Sequence, residues 1–189
     1  MTGADSERDE LARLVRELGV VHGRVTLASG AEADYYVDLR RVTLHHRAAP
    51  LIGHLMLDRL EEVGLGTAEI DAVGGLTLGA DPVATALLHA AASRGLDLDA
   101  FVVRKEAKAH GMQRRIEGPD IAGRKVVILE DTSTTGGSPI AAVEAARESG
   151  AEVMGVAVIV DRATGAQAKI EALGVPYHYL FSLTDLGLA

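Results

Sequence analysis

Short apolar runs alternate with segments of helical periodicity from residue 70 onward. The runs have the length of strands and lie at 70–73, 101–103, 126–129 and 153–160. The helical segments between and after them are 82–94, 139–149 and 165–173. Strands that are apolar on both faces and separated by helices indicate a parallel sheet covered on both sides. The sequence therefore predicts an α/β fold with a central, mostly parallel sheet and helices on both faces.

The chain of 189 residues contains no repeat, low-complexity tract or obvious linker, so we expect a single domain over 1–189. Within it, 1–45 should form an N-terminal helix followed by a small β segment, and 65–185 should form the core. A second amphipathic helix is predicted after Pro50. In two later helices Asp81 and Ser138 each precede a proline, which predicts a capping side chain at the helix start.

Composition narrows the class of protein. The net charge of −8 argues against a surface built for nucleic acid or lipid headgroups. No apolar run reaches the roughly 18 residues of a membrane span, and the first residues lack the pattern of a secretory signal. The absence of cysteine excludes disulfides and thiolate metal sites. We therefore expect a soluble, cytoplasmic protein that binds neither nucleic acid nor membrane.

The most informative segment joins a buried strand to a helix. The strand at 126–129 leads into Glu130 and Asp131, and the loop that follows consists of hydroxyl residues and glycines: Thr132, Ser133, Thr134, Thr135, Gly136, Gly137 and Ser138. Glycines allow close approach of a ligand, and the amides at a helix start favour an anion. The two carboxylates would repel a phosphate unless some group separates the carboxylates from it. A sugar diol that hydrogen-bonds to both carboxylates would fit this role. The segment thus predicts a ligand with a phosphate at one end and vicinal hydroxyls nearby.

Other phosphate motifs are missing from the sequence. No lysine follows a glycine, which excludes a Walker loop, and no Gly-x-Gly-x-x-Gly is found. A third loop, 74–82, contains three glycines between a strand and a helix and is a candidate for holding an anion through its amides.

A second constellation is strongly basic. It lies in a stretch without apolar periodicity, so we expect a mobile loop over 104–118. Its cationic residues, which should attract a polyanion, are Arg104, Lys105, Lys108, His110, Arg114 and Arg115.

These motifs resemble those of a known family. The segment 126–139 resembles the phosphoribosyl diphosphate (PRPP) motif of type I phosphoribosyltransferases, and Arg104–Gly111 resembles the catalytic loop of orotate phosphoribosyltransferases. The resemblance implies transfer of ribose 5-phosphate from PRPP to orotate, giving orotidine 5′-monophosphate and pyrophosphate in pyrimidine biosynthesis. Mg²⁺ is the expected cofactor and is carried by PRPP, with no metal site of the protein's own.

The resemblance also implies roles for particular residues. The loop 132–138 would cradle the 5-phosphate, while Glu130 and Asp131 would hold the ribose hydroxyls. In a homodimer the loop 104–118 would act on the neighbouring subunit, where Arg104, Lys105, Lys108 and His110 would bind the pyrophosphate. The residues with a catalytic role would be Lys108, His110, Glu130 and Asp131.

Orotate carries a carboxylate, which an arginine fork recognises well. By the resemblance Arg162 would bind this carboxylate and Thr134 would contact the same base. The segment 26–38 resembles the hood that covers orotate in the family, so Tyr35 and Tyr36 become candidate contacts. One tyrosine of such a strand pair should point into the core.

Two alternatives remain open at this stage. A phosphoribosyltransferase for another nucleobase would share the chemistry but not need Arg162. A PRPP-sensing regulator that binds RNA would need a basic face with stacking aromatics, whereas this chain is acidic and has only two Phe and four Tyr.

Overall fold

The N-terminal part is a helix, a hairpin and two further helices. In this computed structural model, residues 3–26, 32–106 and 115–188 are described. Helix α1 (Gly3–Leu14) continues as a π-helical turn (Val15–Gly19). The antiparallel pair β1 (Val20–Thr26) and β2 (Glu32–Val37) follows, then α2 (Arg40–Thr43) and α3 (Ala48–Glu62). The described residues up to 43 thus form a helix, an antiparallel strand pair and the short helix α2, which the sequence did not predict.

The remainder alternates strands and helices. Its elements are β3 (Ala72–Leu76), α4 (Ala80–Ser93), β4 (Asp99–Val103), β5 (Ile116–Glu117), β6 (Lys125–Ser133), α5 (Gly137–Glu148), β7 (Glu152–Asp161), α6 (Ala166–Glu171) and β8 (Tyr177–Ser182). The six strands form one sheet in the order β5-β4-β3-β6-β7-β8. Every pairing in it is parallel except that of β4 with β5. The predicted α/β fold with a mostly parallel sheet is confirmed.

Successive residues of β6 show why the sheet is covered on both faces. Val127 and Leu129 pack in a cluster with residues of α1, α3 and α4. Val126 and Ile128 point the opposite way and pack with residues of α5 and α6. All four side chains are fully buried. A strand buried on both faces must be apolar at consecutive positions, so Glu130 and Asp131, which are buried and polar and follow the apolar run of β6, stand out.

Two helix starts differ from the prediction. α4 begins at Ala80 and α5 at Gly137, and neither has a side-chain cap. Asp81 lies inside the first turn, and its carboxylate accepts a hydrogen bond from Thr77 Oγ1 at 2.6 Å. Gly136 precedes α5 with φ +80°, a conformation that favours glycine. The predicted caps at Asp81 and Ser138 are therefore wrong, because both helices begin before these residues and include them in their first turns.

The predicted loop 104–118 is shorter than expected at its C-terminal end. Ile116 and Glu117 pair with Val103 and Val102 as an antiparallel edge strand. The main-chain N–H of Arg104 also donates to the Arg115 carbonyl at 2.8 Å. The edge of β4 that does not pair with β3 thus pairs with Ile116 and Glu117, although these residues show no apolar periodicity in the sequence. Lys108, His110 and Arg114 lie outside the described residues.

Within the three described ranges, no helix is long and apolar enough to cross a membrane.

Candidate active site

An acid pair lies near the end of the central strand β6. Glu130 and Asp131 are only 5% and 9% exposed. Glu130 Oε1 accepts a hydrogen bond from the Asp131 main-chain N–H at 3.1 Å, and Asp131 Oδ1 accepts one from the Thr132 N–H at 2.6 Å. Such carboxylates can accept hydrogen bonds from neighbouring sugar hydroxyls and can stabilise positive charge at short range.

Burial changes the proton affinity of this pair. Removal from water, followed by the charge of Asp131, raises the pKa of Glu130 to about 8. Burial also raises the pKa of Asp131, while hydrogen bonding from Glu130 and the Thr132 amide opposes that rise. Burial and mutual repulsion therefore make the pair harder to ionise fully than exposed carboxyl groups, and a bound cationic or hydroxyl-rich group would favour its full ionisation.

The loop after the pair presents polar groups at the start of α5. Thr134, Thr135, Gly137 and Ser138 are exposed, whereas Ser133 and Gly136 are buried. The first helical hydrogen bond runs from the Ile140 N–H to the Gly136 carbonyl, and the amides before it are free to meet an anion.

Not every hydroxyl of this loop is available. Thr132 Oγ1 donates to the Val160 carbonyl at 3.2 Å. The side chain of Ser133 is 1% exposed. Both residues can contribute to a phosphate site through the main chain, while the exposed hydroxyls belong to Thr134, Thr135 and Ser138.

The glycine loop after β3 lies directly against the acid pair. A Cβ atom added at Gly79 would fall 1.9 Å from Glu130 Oε1 and 3.0 Å from Asp131 Oδ1. Only a residue without a side chain fits this contact with the carboxylates in place. The loop 74–82 thus lies against the acid pair, and its residue Leu78 is 66% exposed.

Arg162 follows β7 beside the phosphate loop. Its main-chain N–H donates to the Ser133 carbonyl at 3.1 Å, and Thr164 Oγ1 donates to the Thr134 carbonyl at 2.5 Å. Between them Ala163 takes a positive φ of 53°. The Nε of Arg162 is buried, and none of the described residues accepts a hydrogen bond from it. A buried, unpaired donor of this kind is rare and suits an anionic acceptor from a ligand.

The two tyrosines of β2 point in different directions. Tyr35 is half-buried, packs against the core and donates its hydroxyl to the Leu188 carbonyl at 3.0 Å. Tyr36 is 40% exposed. The expectation that one of them faces the core is confirmed for Tyr35. Tyr36 has an exposed side that is accessible to a ligand.

Sequence reasoning missed an ion pair close to the acid pair. Arg40 Nε donates to Asp38 Oδ1 at 2.9 Å, which lowers the pKa of Asp38. The charge of Arg40 also acts to lower the pKa of Asp131. The alternation Asp38-Leu39-Arg40 directly after the tyrosine pair was the only available signal. Arg40 is thus a cation that the described structure places beside the acidic pair.

The basic loop is described only at its two ends. Arg104 forms an ion pair with Glu117 at 3.3 Å, and Lys105 is exposed. Both follow β4 at the edge of the sheet where β3 and β6 also end, because the three strands are parallel. No three His, Asp or Glu side chains in the part of the chain that the structure describes lie close enough to hold a metal ion.

The fold and the site together define a class of protein. A parallel sheet whose central strand ends in a buried acid pair, followed by an anion loop, is suited to hold a phosphorylated pentose. The family model described as the phosphoribosyl transferase domain matches residues 40–174. The class is therefore that of the phosphoribosyltransferases.

Closer relatives specify the member of this class. The chain is 63% identical to an orotate phosphoribosyltransferase of Streptomyces avermitilis, over 97% of this chain and 99% of the relative. It is 62% identical to that of Corynebacterium glutamicum, over 96% and 94%. A crystal structure of the Mycobacterium tuberculosis enzyme in complex with PRPP superposes with a TM-score of 0.82 at 54% identity, covering 96% and 99%. The chain belongs to the orotate phosphoribosyltransferases of this family.

Proposed function

We propose that the protein transfers ribose 5-phosphate from PRPP to orotate, giving orotidine 5′-monophosphate and pyrophosphate. The observation that carries this proposal is the buried pair Glu130–Asp131, which leads directly into the anion loop and touches the glycine loop at Gly79. The membership of the chain among the orotate phosphoribosyltransferases supports the same reaction. An assay of orotate consumption with PRPP and Mg²⁺ tests it, and no consumption would refute it.

The acid pair would bind the hydroxyls of the pentose and stabilise the positive charge that develops on it. As the bond from the anomeric carbon to pyrophosphate breaks, positive charge develops on the ribose and negative charge on the leaving group. Glu130 and Asp131 lie in a site from which water is largely removed, so their attraction for the developing positive charge is stronger than in solution. The ring nitrogen of orotate attacks the ribose carbon directly, and no protein nucleophile is needed.

The anion loop would hold the 5-phosphate. The amides at the start of α5, with the exposed Thr134, Thr135 and Ser138, offer hydrogen bonds to phosphate oxygens, and Thr132, Ser133, Gly136 and Gly137 would complete the loop through the main chain. Mg²⁺ would enter bound to PRPP as part of the substrate and would offset the charge of the pyrophosphate.

Arg162 would select orotate among nucleobases. Its buried, unpaired Nε and its position beside Thr134 suit the orotate carboxylate, and Tyr36 would cover the base from β2. Arg162→Ala should raise the KM for orotate severely, by about a hundredfold, since a charge-assisted bidentate contact is lost. An unchanged KM for orotate would favour the alternative, a phosphoribosyltransferase for another nucleobase.

The protein would act as a homodimer in which the loop 104–118 serves the neighbouring subunit. Support comes from the family resemblance and from an exposed apolar surface at the site. A cavity of about 790 Å³ lies between α3 and α4 and reaches Arg40 and Asp81. Leu44 and Leu78, which line it, are 73% and 66% exposed. A second copy of the chain would bury this surface, which includes Leu78 and Asp81 of the glycine loop that touches the acid pair.

Hybrid dimers test this arrangement. Lys108→Ala and Asp131→Asn should each be nearly inactive, but a mixture should recover part of the activity, because one site of each hybrid then has both an intact loop and an intact acid pair. Unmixed variants at the same total concentration are the control. No recovery after exchange of subunits would refute action in trans.

A further inference from the structure

A buried polar group lies beneath the phosphate loop, at a place that the reaction above does not use. It consists of Ser133 at the end of β6, Asp161 at the end of β7 and Tyr177 at the start of β8. Their exposures are 1%, 7% and 6%. The Tyr177 hydroxyl donates to Asp161 Oδ1 at 3.1 Å.

The tyrosine reaches this position from far along the sheet. Tyr177 pairs in register with Val156, five residues before Asp161, yet its hydroxyl contacts the Asp161 carboxylate. The two side chains therefore lean toward each other along the strands. Asp161 pairs in register with Ser133, so the tyrosine hydroxyl ends beside both strands that lead into the site.

The chemistry of the group favours a fixed hydrogen bond. A carboxylate as buried as Asp161 requires a donor, because an unpaired buried charge is costly. Burial, followed by the charge of Asp161, raises the pKa of Tyr177, while the nearby Ser133 hydroxyl opposes that rise. The tyrosine hydroxyl is therefore the donor, and the Asp161 carboxylate is the acceptor, of this hydrogen bond.

Both substrate-binding segments begin at this group. Ser133 is the residue before the exposed part of the phosphate loop, and its carbonyl accepts the Arg162 N–H at 3.1 Å. Arg162 in turn follows Asp161. A change in the position of Asp161 relative to Ser133 therefore moves the phosphate loop relative to the arginine that would hold the base.

We propose that Tyr177 and Asp161, together with Ser133, are positioning residues that fix the distance between the phosphate loop and Arg162. They act through the main chain and touch neither substrate. The inference rests on the proposed function, because that function assigns the phosphate loop to the 5-phosphate and Arg162 to the orotate carboxylate.

Tyr177→Phe removes only the hydroxyl and is the direct test. The KM for orotate should rise about tenfold, the size expected when a hydrogen bond to a buried charged group is lost, while kcat changes less than twofold. Tyr179→Phe is the matched control, since Tyr179 lies on the same strand with its ring 6.3 Å from that of Tyr177, and should leave both constants unchanged. Asp161→Asn keeps an oxygen acceptor for Tyr177 and should retain a KM within about threefold of the wild type.

Amide hydrogen exchange gives a readout that needs no substrate. Exchange of the Arg162 amide should be about tenfold faster in Tyr177→Phe than in the wild type, and unchanged in Tyr179→Phe. Should Tyr177→Phe not fold, Asp161→Leu, which removes the acceptor of the same hydrogen bond and keeps a side chain of similar shape, takes its place in both measurements. A lower melting temperature with unchanged orotate KM and unchanged exchange would overturn the inference. A wild-type protein with no activity toward orotate and PRPP would instead refute the proposed function. The exchange of the Arg162 amide in Tyr177→Phe and in the wild type would still decide the inference.

Discussion

Replacing Glu130 by glutamine should stabilise the free protein in a manner that depends on pH. The change removes a buried charge while keeping the shape of the side chain and an oxygen that can accept the Asp131 N–H. Burial and Asp131 raise the pKa of Glu130 from 4.5 to about 8 in the folded protein. At a pH between these two pKa values, Glu130 is ionised in the unfolded wild-type chain but protonated in the folded chain. The folding stability of the wild type therefore falls as the pH rises. The stability of the variant does not fall for this reason, because glutamine does not ionise.

The size of the effect follows from the two pKa values. Each pKa unit corresponds to about 1.4 kcal/mol, so the stability difference between variant and wild type should grow by up to about 4 kcal/mol between pH 5 and pH 8. It should then level off. For a chain of this length, about 2 to 4 °C of melting temperature correspond to each kcal/mol. Activity should fall at the same time, because the carboxylate that would stabilise the pentose is lost.

Thermal and urea unfolding of both proteins at about pH 5, 6.5, 8 and 9 measure this difference. Glu144→Gln, which changes an exposed acid on α5, is the control and should follow the wild type at every pH. Parallel stability curves for Glu130→Gln and the wild type would show that Glu130 ionises normally in the folded protein, and the reasoning from burial would be refuted.

Two further changes test the surroundings of the pair. Gly79→Ala should raise the KM for PRPP at least tenfold, because its Cβ would lie 1.9 Å from Glu130 Oε1 and displace that carboxylate; steady-state kinetics with PRPP varied measure this, and an unchanged KM would contradict the close contact. Lys108→Ala should lower kcat by about a hundredfold, the size of one lost electrostatic contact in a transition state, while leaving the KM for orotate within threefold. A raised KM for orotate with unchanged kcat would place Lys108 at the base instead of the leaving group.

The strands and the acid pair could be predicted because their signals are local. Consecutive apolar residues end abruptly at Glu130, and the hydroxyls and glycines that follow are contiguous in the sequence. The core orientation of one tyrosine in the pair Tyr35–Tyr36 followed from the alternation of side chains along a strand.

Contacts between distant segments could not be predicted in this way. Tyr177 reaches Asp161 only because β8 lies beside β7 and its side chain leans along the sheet, and no sequence spacing encodes that tilt. The charge of Arg40 acts on Asp131 although the two residues lie far apart in the sequence. The helix starts were missed for a different reason: each helix begins one residue before its expected cap, at Ala80 and at Gly137, and α5 follows a positive φ at Gly136.

Several expectations from the sequence stay predictions. They are the boundaries 1–45 and 65–185, the cytoplasmic location, and the roles of Lys108 and His110.

The central claim is that Glu130 and Asp131 hold the pentose. A crystal structure of the protein with PRPP and Mg²⁺, or with orotidine 5′-monophosphate, measures this most directly. Both carboxylates should lie within about 3 Å of ribose hydroxyls, with the 5-phosphate on the amides at the start of α5. A pentose bound elsewhere, with the acid pair still buried and unliganded, would contradict the account.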